Sequence, residues 1–127
     1  MHSARRTLFL AGLLLAVATA LGALGSHVFK PLLTPTRFES FELAVAYQFY
    51  NSLGLIGIAV LRQRGDSAWL QWSVRLLFAG LLLFCGSIYA LCAGLPSWFG
   101  MVAPLGGTAF MLAWLCFAVG MWRQRAA

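Results

Sequence analysis

Uncharged polar side chains lie inside four long apolar segments of this sequence, and they are the residues most able to do chemistry. At a rise of ~1.5 Å per residue from the centre of each segment, several of them share one layer just outside the bilayer midplane. The layer contains Tyr47, Gln48, Ser87, Tyr89 and Thr108, with Asn51 just below it. Polar groups at this depth either bond neighbouring helices or contact a ligand. We predict a candidate intramembrane site here, with helix bonding as the simpler interpretation.

Two ionisable residues extend this candidate site towards one membrane surface. His27 is predicted ~15 Å from the midplane, near the outer interface. The carboxylates closest to it in depth are Glu39 and Glu42 on the next segment. A contact between histidine and glutamate would favour the charged imidazole. We therefore place His27 and Glu42 at the outer mouth of the candidate site, although a lone histidine more often has a structural role.

The sequence supplies no complete catalytic set. A bis-histidine haem needs two histidines in the bundle, and only His27 and the terminal His2 exist. Three cysteines without paired spacing predict neither a disulfide framework nor a zinc site. Ser87 has no base at its depth, and Asp66 is predicted in a turn, far from the membrane centre. We expect no catalytic residues, no metal and no cofactor, and hence no enzymatic activity.

Four helices of membrane-spanning length must position the polar layer. The spans are predicted at residues 7–28, 38–61, 74–95 and 101–121, and each is close to the ~20 residues that cross a ~30 Å hydrocarbon layer. The chain has 127 residues, of which 61% are hydrophobic and 9% charged. We predict a single all-α transmembrane domain over residues 1–127, an integral four-helix bundle surrounded by lipid.

The basic residues predict topology. Four crossings place seven of the nine lysines and arginines on one side, namely Arg5, Arg6, Arg62, Arg64, Arg75, Arg123 and Arg125. Because short cytoplasmic loops are enriched in basic residues, both termini are predicted to face the cytoplasm. The net charge of +6 is then a topology signal and no indication of nucleic-acid binding. The predicted location is the bacterial cytoplasmic (inner) membrane.

A second interpretation of the N-terminus is a cleavable signal peptide. Arg5 and Arg6 precede an apolar stretch that ends in the small residues 18–20, as in signal sequences. Its removal would leave three spans and would move the C-terminal arginines to the opposite side from those of the second connector. Retention is favoured because it balances the charge pattern and because the apolar stretch is long for a signal core.

Small residues predict close helix packing. Gly12, Ala16 and Ala20 recur every fourth position, as do Ala18, Gly22 and Ser26, and such spacing lets helix backbones approach closely in lipid. A third stripe is Gly86, Ala90 and Gly94. The full set of predicted packing residues is Gly22, Gly25, Gly86, Pro104, Gly106, Gly107 and Trp114. At the start of the second helix, Thr36 and Glu39 have the spacing of a capping box.

Four motifs, in order, resemble those of the YgdD/YwdK family of small bacterial inner-membrane proteins. Residues 22–27 resemble its Gly-Ala-x-Gly-Ala-His segment, and residues 47–51 its Tyr-Gln-x-x-His segment. Residues 84–89 resemble its Phe-x-Gly-Ser-x-Tyr, and residues 103–114 its Pro-x-Gly-Gly…Gly-Trp. The resemblance implies four helices and no established reaction. Asn51 stands where the family usually has a histidine, and because an amide cannot titrate, any proton or metal role proposed for that histidine does not carry over to this chain.

These observations lead to two hypotheses. The first is a non-enzymatic interaction protein, either self-associating or an accessory subunit of a larger membrane assembly, motivated by the small-residue stripes. The alternative is a small carrier or binding protein for an apolar molecule such as a quinone or lipid, with its site in the layer around Gln48. A bundle packed solid beside Gln48 would remove the alternative.

Overall fold

Four long helices build the structure. The computed structural model describes the backbone of residues 2–124 and the side chains of residues 4–124, so Arg125 and the side chain of His2 lie outside the described part. The helices are α1 (His2–Leu24, continued by a π-helical turn at Gly25–Phe29), α2 (Pro35–Arg64), α3 (Ala68–Cys92) and α4 (Ala103–Arg123). Each is long and apolar enough to cross a membrane. The predicted all-α architecture of four spans is confirmed.

The start of α2 differs from the predicted capping box. The side chain of Thr34, and not that of Thr36, accepts a hydrogen bond from the Arg37 backbone N–H at 3.2 Å. Pro35 occupies the first helical position, where its missing N–H costs nothing. The helix therefore begins at Pro35, because a threonine followed by proline is the better cap.

The ends of α3 also follow from capping residues. Ser67 accepts a hydrogen bond from the Leu70 N–H at 3.2 Å, so α3 begins at Ala68. At the other end Gly94 has a φ of +90°, and the Leu95 N–H bonds back to the Ala90 carbonyl. This left-handed conformation favours glycine. Gly94 thus ends the helix and is not part of a packing stripe.

The helices pack as two pairs joined in the middle. α1 packs on α2, α4 packs on α3, and α2 contacts α3 between them. On α1, the buried small residues recur every seven positions, at Ala4, Ala11, Ala18 and Gly25. This repeat keeps one face of α1 against its partner. The predicted residues Gly12, Ala16 and Ala20 lie on the exposed side of the helix.

Gly106 of α4 lies against the backbone of α3. A Cβ atom added there would lie 2.6 Å from the Cβ and 2.7 Å from the Cα of Phe84, which belongs to a π-helical turn of α3 at Leu81–Cys85. Only glycine permits this separation. By contrast, added Cβ atoms at Gly86 and Gly107 would meet nothing within 4 Å, so the close contacts predicted at these two glycines are absent from residues 4–124.

Candidate functional site

Two grooves run between the helices at membrane depth. The Gln48 groove, about 470 Å³, lies between α1 and α3 above α2, and its walls are Leu10, Leu13, Leu14, Val17, Gln48, Phe78, Leu81, Leu82, Cys85, Gly86 and Tyr89. The Asn51 groove, about 920 Å³, lies between α2 and α4, and its walls are Leu43, Tyr47, Asn51, Phe84, Pro104, Gly107, Thr108, Phe110, Met111, Trp114 and Leu115. Among residues 4–124, no charged side chain lines either groove.

The Gln48 side chain joins three helices at the floor of the first groove. Its Nε2 donates to the Leu14 carbonyl of α1 at 2.7 Å, and its Oε1 accepts from the Tyr89 hydroxyl of α3 at 2.7 Å. A carbonyl can only accept, so the nitrogen must face Leu14 and the oxygen must face Tyr89. The amide orientation and the direction of the Tyr89 bond are thereby both determined.

Asn51 plays a narrower role at the second groove. Its Nδ2 donates to the Tyr47 carbonyl one turn earlier in α2, at 2.9 Å, and its Oδ1 accepts from the indole N–H of Trp114 at 3.0 Å. The indole can only donate, which again determines the amide orientation. Trp114, predicted as a packing residue, is therefore also a hydrogen-bond donor between α4 and α2.

The structure divides the predicted polar layer. Gln48 and Tyr89 share one groove, while Tyr47, Asn51 and Thr108 share the other. Thr108 donates to the Pro104 carbonyl at 2.9 Å within its own helix. Ser87 likewise donates to the Phe84 carbonyl, at 2.9 Å, and is buried. Four of these predicted residues and Asn51 are thus divided between two separate grooves, and Ser87 lines neither of them.

The predicted outer mouth is not assembled. His27 and Glu42 are both exposed, and no hydrogen bond or ion pair joins His27 to Glu39 or Glu42. Glu42 lines a small crevice of about 160 Å³ between α1 and α2, beside Gly22 and Gly25. The depth argument placed these side chains at similar heights, but they do not converge on either groove.

An ion pair between Arg62 and Asp66 lies where α2 ends and α3 begins. In the turn between α2 and α3, the Arg62 guanidinium donates two hydrogen bonds to the Asp66 carboxylate, at 2.9 and 3.0 Å. This pairing, assisted by the Gln71 amide, lowers the pKa of Asp66 to about 2. Within residues 4–124, no three histidine, cysteine or acidic side chains are grouped so that they could hold a metal ion.

Comparison with known proteins identifies the family. Residues 21–107, more than half of the chain, match the family described as "Protein of unknown function (DUF423)". The chain belongs to the DUF423 family. The "UPF0382 inner membrane protein YgdD" of Escherichia coli K12 is 33% identical over 86% of this chain and 83% of its own length. The "UPF0382 membrane protein YwdK" of Bacillus subtilis 168 is 34% identical over 81% of this chain and 85% of its own length. A "UPF0382 membrane protein" of Staphylococcus epidermidis is 32% identical over 81% of this chain and 84% of its own length.

These names and the four apolar helices confirm the predicted multi-pass location in the bacterial inner membrane. No solved structure matches this chain. The resemblance to YgdD and YwdK proposed from the four motifs is confirmed. The description of the DUF423 family assigns it no function.

Several contacts of this DUF423 chain were not predicted from its sequence. Ser73 donates to the Ala113 carbonyl at 2.9 Å, and the Cys85 thiol donates to the Ala44 carbonyl at 3.3 Å. Both bonds cross between helices, and both residues are buried. A serine or cysteine facing the bundle interior was a usable signal, because small polar side chains often bond across membrane helices. The acceptors are backbone carbonyls, which no sequence motif indicates.

Proposed function

We propose that this chain is a non-enzymatic membrane protein that binds one apolar molecule in the Gln48 groove. The observation that carries the proposal is the cavity beside Gln48, which a solidly packed bundle would lack. Its volume, about 470 Å³, falls within the ~300–1,000 Å³ of known ligand pockets. Its walls are almost entirely apolar, with an amide and a phenol at the floor. Apolar walls with a few convergent polar groups are typical of small-molecule sites.

The rim of the groove suits entry from the hydrocarbon layer. Leu10, Leu13, Val17 and Leu82 are 43–73% exposed and line the same groove. An apolar molecule dissolved in the lipid would therefore reach the floor without passing a charged or strongly hydrated group. A charged ligand would lose its hydration with no counter-charge to replace it.

The bonding of the polar groups supports binding over catalysis. The Gln48 oxygen and the Tyr89 hydroxyl hydrogen are engaged with each other. The Cys85 thiol donates to a backbone carbonyl. A nucleophile needs an adjacent base, and neither glutamine nor a neutral phenol bonded in this way supplies one.

A steric block tests the proposal. Leu13→Trp fills the Gln48 groove from its rim, and Leu115→Trp places the same bulk in the Asn51 groove. Purified proteins in a mild detergent would be incubated with tritiated hexadecane and separated from free probe by gel filtration. We expect retention by the unmodified chain and by Leu115→Trp, and its loss in Leu13→Trp. Retention no higher than that of empty micelles in the unmodified chain would refute the proposal.

A subunit role in a membrane assembly is the second candidate. The motivation is α1, in which 17% of the spanning window is buried, against 44% for α2. Its exposed side presents Gly12, Ala16 and Ala20 at the spacing of close helix contacts. Isolation in mild detergent with a mass measurement tests this role. The subunit role would be contradicted if the chain is strictly monomeric, purifies without another protein and keeps the same mass in the Ala16→Ile variant.

A further inference from the structure

The Gln48 amide has one hydrogen that no described group accepts. Nε2 carries two hydrogens, and one of them is donated to the Leu14 carbonyl. Tyr89 donates its hydroxyl hydrogen to the amide oxygen and does not bond the nitrogen. Gln48 lines a groove that opens to the hydrocarbon layer, where there is no water to accept the second hydrogen. A buried donor without an acceptor is costly in a membrane interior.

The Gln48 groove contains few competing hydrogen-bonding groups. The Cys85 thiol is directed to the Ala44 carbonyl. The remaining walls, Gln48 and Tyr89 apart, are aliphatic side chains, one phenylalanine ring and a glycine. A ligand oxygen entering this groove would therefore find one free side-chain donor. In the Asn51 groove the hydroxyls of Tyr47 and Thr108 are also present, so that space is less selective.

The depth of Gln48 restricts what can carry the oxygen. α2 spans Pro35–Arg64, which places Gln48 roughly 2 Å along the axis from the middle of the helix. The ester groups of a phospholipid lie at the edge of the hydrocarbon layer, about 15 Å from its centre. A phospholipid could therefore insert only its hydrocarbon tail. An oxygen at the depth of Gln48 must belong to a molecule that is apolar on both sides of it or small enough to lie wholly within the layer.

We infer that the ligand of the Gln48 groove is an apolar molecule bearing an uncharged carbonyl or hydroxyl oxygen, which accepts a hydrogen bond from Gln48 Nε2. This inference rests on the proposed function, because it specifies the chemistry of the same site. The lone pairs of the Tyr89 oxygen remain available to accept from a ligand hydroxyl. A carbonyl uses the glutamine alone.

Matched probes test the inference. Tritiated hexadecane, a hexadecanone with a mid-chain carbonyl and the corresponding secondary alcohol share one carbon skeleton. We expect the ketone and the alcohol to be retained about threefold to tenfold more than the alkane, each relative to its retention by empty micelles, as one net hydrogen bond implies. In Gln48→Met the ratio of ketone to alkane should fall to about one. Asn51→Leu, in the other groove, should leave the ratio unchanged.

Infrared spectroscopy of the unmodified protein provides a test that no folding defect can obscure. The stretching band of an isotope-labelled carbonyl in the bound ketone should lie at lower frequency than in hexadecane solution. An unshifted band, or equal retention of all three probes, would overturn the inference while leaving apolar binding intact. Failure to retain any probe would overturn the proposed function as well. A ketone preference that persists in a folded Gln48→Met protein would show that another group binds the oxygen.

Discussion

Both the Gln48 groove and the Asn51 groove have a hydrogen-bonded amide at the floor, but the Gln48 amide links more helices than the Asn51 amide does. Each has an amide from α2 at its floor, with an orientation determined by an obligatory donor or acceptor on another helix. Gln48 bonds to α1 and α3, whereas Asn51 bonds to α4 and to its own helix. The first amide therefore holds three helices together, and the second holds two.

The packing around the two amides also differs, because it is more aromatic beside Asn51 than beside Gln48. Asn51 lies beside Trp114, whose ring also covers Gly54: an added Cβ there would come within 2.6 Å of two ring atoms. The rings of Tyr47, Phe84 and Phe110 pack against one another in the walls of the Asn51 groove. The Gln48 groove has mainly aliphatic walls. Aromatic packing supports the Asn51 side independently of its amide, so the Gln48 side depends more on its hydrogen bonds.

The largest predicted effect on stability concerns the contact between Gly106 and Phe84. Gly106→Ala places a methyl group against the Phe84 backbone. The π-helical turn that contains Phe84 contributes walls to both grooves. We expect the free energy of unfolding to fall by about 1–3 kcal/mol, as for other overpacked sites. Titration from mild detergent into SDS, followed by circular dichroism, measures it.

The neighbouring glycine is a matched control. Gly107→Ala adds the same methyl group one position along α4, where nothing lies within 4 Å. Replacing a helical glycine by alanine without a clash should stabilise the protein by about 0.5–1 kcal/mol. Equal effects of the two substitutions would contradict the close approach at Gly106.

The contrast between these glycines shows what could be predicted from the sequence. The length and apolarity of the four spans follow from the thickness of the bilayer, and they were predictable. Depth along a span was predictable too, which is why Gln48 and Tyr89 were placed together. The two adjacent glycines at 106 and 107 were equivalent in the sequence. Only the position of α3 decides which of them meets a backbone.

The direction in which a side chain faces around its helix was harder to predict than its depth along the helix. Gln48 and Asn51 are three residues apart and share a broad face of α2, so the sequence predicted one site. α2 contacts three other helices, and this broad face is divided between two grooves. The predicted contact between His27 and a glutamate failed for the same reason, since equal depth does not specify facing directions. Pro35 similarly decided between Thr34 and Thr36 as the cap.

Substituting each amide compares them directly, with a smaller expected change in the free energy of unfolding. Gln48→Met removes two bonds between helices, and Asn51→Leu removes one. At about 0.6 kcal/mol for each bond, we expect losses of about 1.2 and 0.6 kcal/mol in the same SDS titration. If Asn51→Leu were the more destabilising, Gln48 would not be the principal link between the helices.

The smallest effect distinguishes the two tyrosines. The Tyr89 hydroxyl donates to Gln48 at 2.7 Å, while within residues 4–124 the Tyr47 hydroxyl makes no hydrogen bond and the residue is 37% exposed. Tyr89→Phe should lower the free energy of unfolding by about 0.6 kcal/mol, and Tyr47→Phe should change it very little. In Gln48→Met the Tyr89 hydroxyl has lost its acceptor, so adding Tyr89→Phe there should cost nothing further. A full second loss in that double variant would mean that Tyr89 acts through a partner other than Gln48.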